Sequence, residues 1–578
     1  MNAHTTMADV SLRSMHQPPG EGAFRIGIAG CGPRGLYCLQ SLTDQLDRHR
    51  PDLPVSVIIF EPSQFPGAGN VYDPRQPNYL RMNFAAKYID AWPPDGKPDP
   101  NRLNLVDWLS QFGKSKVGPH DFVSRAEVGA YLHDCFKQVI ARLRHFGEVT
   151  IYAEPVSSVR SCEHGDWQLQ AGRWSFAVDE VLLTVGHEGW RTPCRADSES
   201  SLPLVPTFPT RRQLTADKIP GGCHVAMRGF GLTWIDAVLA LTEGRGGKFE
   251  RIGHAWHYVS SGNEPEKLLP FSRTGRPMLA KPDESLFAQP PELNEIWSRG
   301  RAAIESAARP VSPFDLRNVL YRTITEAAAD AVNVFAEGCQ AAVRSASIRA
   351  WFDRWCRQPM RPTTTIASLL ESHAVATGCA TPDIAWALGA AWRNLYPALV
   401  RCVSHGGLSV EAWPAFRRIA SEMERIAFGP PAENVGRMLA LIQAGIIDLR
   451  YINGSLHRQS GSSDPTWTLS DGVDTVRIDR CVDSVLPSPQ QLDTSGPLQR
   501  LLDNAIIERL AGAEGIHVNH AGRSLLGRGK SKAGLAILGR STEGCILGND
   551  TLIRYLHDHP RRWAMSVHQN IQSAEAMR

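Results

Sequence analysis

Apolar residues alternate with small or polar ones in "FRIGIAG", where Phe24, Ile26 and Ile28 share one face, the period of a short strand entering a core. The period then changes. Leu36, Leu39, Leu42 and Leu46 recur at steps of three and four, the stripe of one helix face. "PVSVIIFEP" follows as a second apolar strand that ends at Glu61. A weaker copy of the plan lies further on: "HVAMR" predicts a strand, and Ile235, Val238, Leu239 and Thr242 mark a helix face. The next apolar stretch, "HAWHYVSSGNEP", reads as the strand that follows that helix. From about Pro291 to Ile447 the period is helical, with Leu316, Val319, Leu320, Ile324, Ala327 and Ala331 on one face. Trp351, Trp355, Trp386, Trp392 and Trp413 punctuate this stretch. They read as core packing, with the lining of a substrate cavity as the alternative. "GVDTVRIDRCVDSVLP" and "GLAILGRSTEG" return to strand patterns, and "RQSGSSDPTW" reads as a loop.

What joins each strand to its helix carries the chemistry. In "GIAGCGPRGL", Gly30, Gly32 and Gly35 stand at the spacing G-x-G-x-x-G, with Pro33 and Arg34 between the last two. Between a strand and a helix start, backbone N–H groups and the helix dipole can hold a pyrophosphate. Gly30 permits the tight turn, Gly32 lets the phosphate approach, and Gly35 lets helix and strand pack. Glu61, at the end of the next strand, can accept hydrogen bonds from a ribose diol. The second loop has Gly229 and Gly231, followed by Leu232 and Thr233, but Trp234 stands where the third glycine belongs. Either the helix sits further from its strand or Trp234 points aside. Beyond it, Ser260 and Ser261 precede the first acid, Glu264. Hydroxyls with a nearby arginine, Arg273 or Arg276, suit a 2′-phosphate and favour NADPH over NADH.

Composition narrows the class. The chain has 578 residues, 42% hydrophobic and 21% charged, with a net charge of +3. That is a globular balance, without the clustered Lys and Arg that nucleic acid requires. No stretch approaches the ~18 apolar residues of a membrane span. The 12 cysteines include no C-x-x-C pair, so reduced thiols in a cytoplasmic protein are expected rather than dithiol chemistry. Neither a G-x-S-x-G elbow nor an H-E-x-x-H helix occurs, and no metal site is expected.

Taken in order, "GIAGCGPRGL", "EPSQFPGAGNVYDPRQPNYLRMN", "SRAEVGAYL", "VDEVLLTVGHEG", "RGFGLTWIDAVLALTEGRGG", "VSSGNEP", "AFGPPAENVGRMLALIQAGII" and "AILGRSTEG" resemble the two-dinucleotide-binding flavoproteins. More narrowly they resemble the bacterial FAD-NAD(P)-binding family, related to amine and amino-acid N-hydroxylating flavin monooxygenases of the nitrosuccinate synthase kind. The resemblance implies an α/β fold: two Rossmann-like dinucleotide-binding domains with a large helical insertion. It divides the chain into a disordered tail 1–22, an FAD-binding part 23–206, an NADP-binding domain 207–290, a helical insertion 291–447, a return to the FAD domain 448–562 and a tail 563–578. FAD would lie on the first loop and NADPH on the second. Thr184 and Gly186 match the small residues where a strand recrosses the FAD site, and His187 follows as a flavin neighbour or a structural histidine. Asn83 is carried over as a flavin-side residue and Lys87 as its catalytic companion, against a surface lysine. Arg81, Arg273 and Arg540 are candidates for a substrate carboxylate, and Glu543 stands near the last of them.

Three functions compete on this reading. The first is an NADPH- and FAD-dependent monooxygenase that uses O₂ on the amine of a small amino acid such as aspartate. The second is a flavin oxidase or reductase without oxygen transfer, and the third a nucleotide-binding regulator without turnover. A small molecule is the expected partner, a homo-oligomer stays open, and no nucleic acid or membrane is expected.

Overall fold

The computed structural model describes residues 22–94, 99–113, 116–162, 166–186, 204–253, 255–286, 290–310, 312–336, 342–459, 466–486, 496–549 and 551–578. His187 lies outside them, as does most of the segment read as an N-terminal tail.

Six strands build the first sheet, in the spatial order Arg523–Leu526, Lys530–Ile537, Glu180–Leu183, Phe24–Ala29, Val55–Phe60 and Gly147–Tyr152. All neighbours run parallel except the first two, which are antiparallel. Every residue of Val55–Phe60 is buried, as a parallel strand covered on both faces must be. Its side chains feed two cores by alternation: Val55, Val57 and Ile59 point to one, Ile58 and Phe60 to the other. On the first side lie the helices Pro33–His49, Arg125–Leu143 and His559–Ala576. The second side is covered by an antiparallel sheet of Val156–Ser161, Trp167–Ala171 and Trp174–Val178, whose Trp167 is fully buried.

The residues read as a C-terminal tail therefore belong to the core. His559–Ala576 packs along Pro33–His49 and buries Trp563, Val567 and Ile571. Its polar face holds the strand beneath it. Glu180, fully buried, ion-pairs with Arg523 and accepts from Trp563 Nε1 and Asn570 Nδ2, each at 3.3 Å.

Four parallel strands form the second sheet, ordered Lys267–Phe271, His224–Arg228, Arg480–Asp483 and Leu204–Pro206. Three expectations change here. The strand of "VRIDRCVDSVLP" does not return to the first sheet, because Arg480–Asp483 lies between His224–Arg228 and Leu204–Pro206. The boundary at 206 also moves, since Leu204–Pro206 is already part of the second sheet. Finally, Ala255–Val259 is not the parallel neighbour of the second loop. It pairs antiparallel with Lys248–Ile252, and neither strand has a buried residue. The buried "KLLPF" of Lys267–Phe271 takes the sheet position instead, because only it is apolar enough to sit between core layers.

Between these strands run helices from Pro291–Ser306 to Ala432–Gln443. Leu316, Leu320, Ile324, Ala327 and Ala331 are buried on the face their spacing defines. Trp355, Trp392 and Trp413 are buried in the same core, with Trp351 and Trp386 packed against it. "RQSGSSDPTW" overlaps two strands of a hairpin, Ser455–Gln459 and Thr466–Ser470, with 460–465 outside the described residues.

Candidate active site

A cavity of about 1410 Å³ opens where the carboxyl ends of both sheets meet the helical region. It exceeds the roughly 300–1,000 Å³ of an ordinary single-ligand site, so a dinucleotide and a second molecule fit together. Gly30, Glu61, Gly186 and Gly539 reach it from the first sheet, and Leu232 and Thr233 from the second loop.

At the first loop each glycine has a separate duty. Gly30 has φ +80°, and a Cβ there would lie 2.7 Å from the Thr184 carbonyl oxygen. The same Thr184 donates its hydroxyl to the Gly30 carbonyl at 2.5 Å, tying the loop to the recrossing strand. A Cβ on Gly35 would come within 3.1 Å of Gly30 O and Thr184 Oγ1, so this residue sets the helix-to-strand spacing. Gly32 differs: the nearest atom to its added Cβ is Gly69 Cα at 3.8 Å. It faces open cavity at the N-terminus of Pro33–His49, where backbone donors can meet a phosphate.

Glu61 is buried and accepts from the N–H of Cys31 at 2.6 Å and of Ser63 at 2.8 Å. Burial raises its carboxyl above the usual range against those two bonds. The oxygens keep further acceptor sites for a ribose diol. Gly186 has φ +66°, and a Cβ there would find nothing within 4 Å. Arg34 donates to the carbonyls of Asn549 and Thr551, so it clamps the C-terminal segment onto the loop. This set fits the pyrophosphate and ribose of FAD.

The second loop turns at Gly229, with φ +103° and its N–H on Phe271 O at 3.0 Å. Gly231 is as open as Gly32, since its Cβ would meet only Met278 Sδ at 3.8 Å. Trp234 turns aside into the core, its ring 4.5 Å from that of Phe230. Arg125 crosses from the first domain to Asp236 of the second-loop helix at 2.7 Å, with both residues at the cavity wall.

The 2′-phosphate expectation needs a different anchor. Ser260 and Ser261 both bond the Glu264 carboxylate, at 2.6 and 3.1 Å, and Tyr258 adds a third hydroxyl at 2.7 Å. Burial works upward on this carboxyl, but the hydroxyl and N–H bonds outweigh it and hold it at about 2. A carboxylate thus occupies the hydroxyls that were expected to receive a phosphate. The strand that does lie beside Gly229 ends at Phe271, which brings Ser272 and the exposed Arg273 to the loop. Arg276 is buried instead, on Glu422 at 2.9 Å.

Of the flavin-side and substrate candidates, Asn83 lines the cavity and donates to Phe428 O at 3.1 Å. Lys87 stands behind the wall, paired with Glu284 at 2.6 Å. Arg81 is also outside, on Phe122 O at 3.1 Å and 3.8 Å from Glu433. Arg540 lines the cavity, ion-paired with Glu543.

Two cations at the wall were not anticipated. Lys281 follows the Lys267–Phe271 strand, and its ammonium lies 6.0 Å from the ring centre of Phe84 and 5.9 Å from that of Phe428. Among the described residues it has no hydrogen-bond or ion-pair partner. Burial, with Arg393 nearby, lowers its pKa to about 7. Arg393 donates to Ala427 O at 2.9 Å, and burial lowers its pKa to about 10. One signal for it was available: a lone Arg, followed by Asn394, inside the otherwise apolar run "IAWALGAAWRNLYPALV".

Residues 27–188 match the family model described as FAD-NAD(P)-binding. The chain carries an FAD-NAD(P)-binding domain. Among curated proteins it is 26% identical over 555 residues to a nitrosuccinic acid synthase of Aspergillus oryzae, covering 83% of this chain and 81% of the relative. It is 25% identical over 497 residues to a nitrosuccinate-forming L-aspartate N-monooxygenase of Streptomyces cremeus, covering 73% of each. Among solved structures, L-lysine 6-monooxygenase of Pseudomonas syringae aligns over 95% of this chain and 99% of its own, at 12% identity and a TM-score of 0.49. The FAD-NAD(P)-binding domain contains the first glycine loop, Glu61 and the Thr184–Gly186 crossing. Among the described residues no cluster suited to a metal occurs, and no helix is long and apolar enough to cross a membrane.

Proposed function

We propose that the chain is an NADPH- and FAD-dependent N-monooxygenase acting on the amine of a small acidic amino acid, with aspartate as the first candidate. The observation that carries this reading is that the first glycine loop and the helix start just after the second, at Leu232 and Thr233, line one cavity with room for a further molecule. Hydride can then pass between the two cofactors within one chain. Bound flavin supplies the oxygen-activating chemistry, and the protein binds, orients and keeps water out. Gly30, Gly32, Glu61, Thr184 and Gly186 hold FAD on this reading; Gly229, Gly231, Leu232, Thr233 and Arg273 hold NADPH. Asn83, which lines the cavity and is anchored on Phe428 O, is on this reading the residue between the flavin and the remaining space. The first oxygenation balances as amine plus O₂, NADPH and a proton giving hydroxylamine, NADP⁺ and water. Repetition leads towards nitroso and nitro products, and the names of the two curated relatives support that direction.

The test is incubation of the FAD-loaded enzyme with NADPH, ¹⁸O₂ and L-aspartate, with products read by mass spectrometry. N-oxygenated aspartate or nitrosuccinate carrying ¹⁸O is expected. Hydrogen peroxide as the sole oxygen product, with aspartate and every other amino acid unchanged, would reject the reading in favour of an oxidase.

A further inference from the structure

The part of the cavity beyond Asn83 has an unbalanced charge. Its wall there carries Lys281, Arg393, Glu284 and Glu424, and of the two acids it is Glu284 whose charge acts on both cations. Glu284 is already used. It takes Lys87 at 2.6 Å from outside the wall and the Tyr88 hydroxyl at 2.9 Å. Burial alone would raise this carboxyl, but those partners outweigh it and hold it below the ordinary value. The acid is thus matched by Lys87, and two positive charges remain facing the space.

Both cations are held as if for a ligand. Lys281 comes from the segment after the Lys267–Phe271 strand, pinned by its backbone N–H on Pro430 O at 2.7 Å. Arg393 comes from the helix Ile384–Val403 and spends one N–H of its guanidinium on Ala427 O. Residues 427–430 therefore brace both cations from one turn, with the Phe428 ring beneath Lys281 and its carbonyl on Asn83. The remaining N–H groups of Arg393 and all three of Lys281 have no partner among the described residues. Two half-buried cations with unspent donors, opposed among the described acids by the charge of Glu284, are costly to keep without an anion.

We propose that Lys281 and Arg393 together bind the two carboxylates of a dicarboxylic amino acid, and that this pair sets the enzyme's preference for dicarboxylate over monocarboxylate substrates. Arg393 offers a planar fork to one carboxylate, and Lys281 a point charge to the other. Pairing both carboxylates with the protein also removes their hold on the substrate's ammonium proton, which favours the neutral amine that oxygenation requires. The proposal rests on the N-monooxygenase reading for its chemistry, but its charge argument concerns binding alone.

The experiment compares the FAD-loaded wild type with Lys281→Met, Lys281→Arg, Arg393→Met and Arg393→Lys. Turnover is measured with L-aspartate and L-asparagine, and binding is measured with succinate through the absorbance of oxidised flavin. Loss of a charged partner should raise the KM for aspartate on the order of 10- to 100-fold in each Met variant. The aspartate-over-asparagine preference should fall by a similar factor, with part of both recovered in the Arg and Lys variants. Succinate should perturb the flavin spectrum of the wild type and of neither Met variant at the same concentration. Wild-type turnover of aspartate with unchanged KM and unchanged preference in the Met variants would overturn the proposal. If the wild type oxygenates no amino acid, the functional reading falls, and the succinate titration still decides this pair. A wild-type spectrum indifferent to succinate, or variants that respond as the wild type does, would overturn it.

Discussion

Replacing Lys281 by Met should make the ligand-free protein more stable, by an amount that depends on pH in a defined way. The pKa of Lys281 falls from 10.5 to about 7, chiefly through burial, with Arg393 adding repulsion and Glu284 partly opposing both. Below pH 7 folded and unfolded chains both hold the proton, and the folded chain carries the cost of the partly buried charge, at most about 5 kcal/mol from the size of the shift. Between pH 7 and 10.5 only the unfolded chain stays protonated, so the cost fades as pH rises. Linkage gives about 3 kcal/mol at pH 8 and about 1 kcal/mol at pH 10. Water entering the cavity takes part of this back, which lowers all three values without changing their order. Methionine has nearly the same length and can keep the contacts with Phe84 and Phe428. Thermal unfolding of both proteins, without dicarboxylates and at matched FAD content, should show a higher Tm for Lys281→Met at pH 6. The gain should shrink at pH 8 and nearly vanish at pH 10. A variant less stable than the wild type at pH 6, or a gain that does not change with pH, would refute the view that Lys281 is a desolvated cation awaiting an anion.

Three further outcomes follow from the geometry. Gly32→Val should give a folded but colourless protein, because a Cβ there meets only Gly69 Cα at 3.8 Å and the added bulk lies where a phosphate would be. Gly30→Ala should instead impair folding, since φ +80° and the contact of 2.7 Å with Thr184 O leave its Cβ no room; flavin absorbance per chain and circular dichroism separate the two. Arg125→Met should cost about 3–5 kcal/mol by leaving Asp236 buried without its partner. Burial already raises the Asp236 carboxyl against Arg125, so protonation relieves the variant, and its Tm deficit should be smaller at pH 5 than at pH 8.

How much could be read beforehand depended on how local each signal is. A glycine loop is a local device: strand, turn and helix N-terminus are consecutive, so Gly30, Gly32 and Gly35 carry their duties in their spacing. The second loop was harder because Trp234 replaces a glycine. A ring is tolerated there only because Phe230 and the core offer it a place away from the strand, which spacing does not reveal. The hairpin at 248–259 misled for a related reason. Its apolar residues resemble a strand of the sheet, but a parallel sheet position demands burial on both faces, and "KLLPF" meets that demand while "AWHYV" does not.

The cationic pair lies at the opposite limit. Lys281 and Arg393 are separated by most of the helical region, and neither belongs to a motif. They meet because Ala427–Pro430 ends one helix at the cavity wall and gives each of them a carbonyl. Arg81 and Arg540 looked equally suitable as letters in a sequence. Arg81 is outside the cavity, on a backbone carbonyl and near Glu433, and Arg540 carries its own acid at 543. What distinguishes a binding cation from a structural one is whether its counter-charge is already supplied by the fold. Among the described residues the acid whose charge acts on Lys281 and Arg393 is Glu284, and it is taken by Lys87; on the proposed reading this uncompensated charge is the physical reason the helical region selects what the two dinucleotide loops can act on.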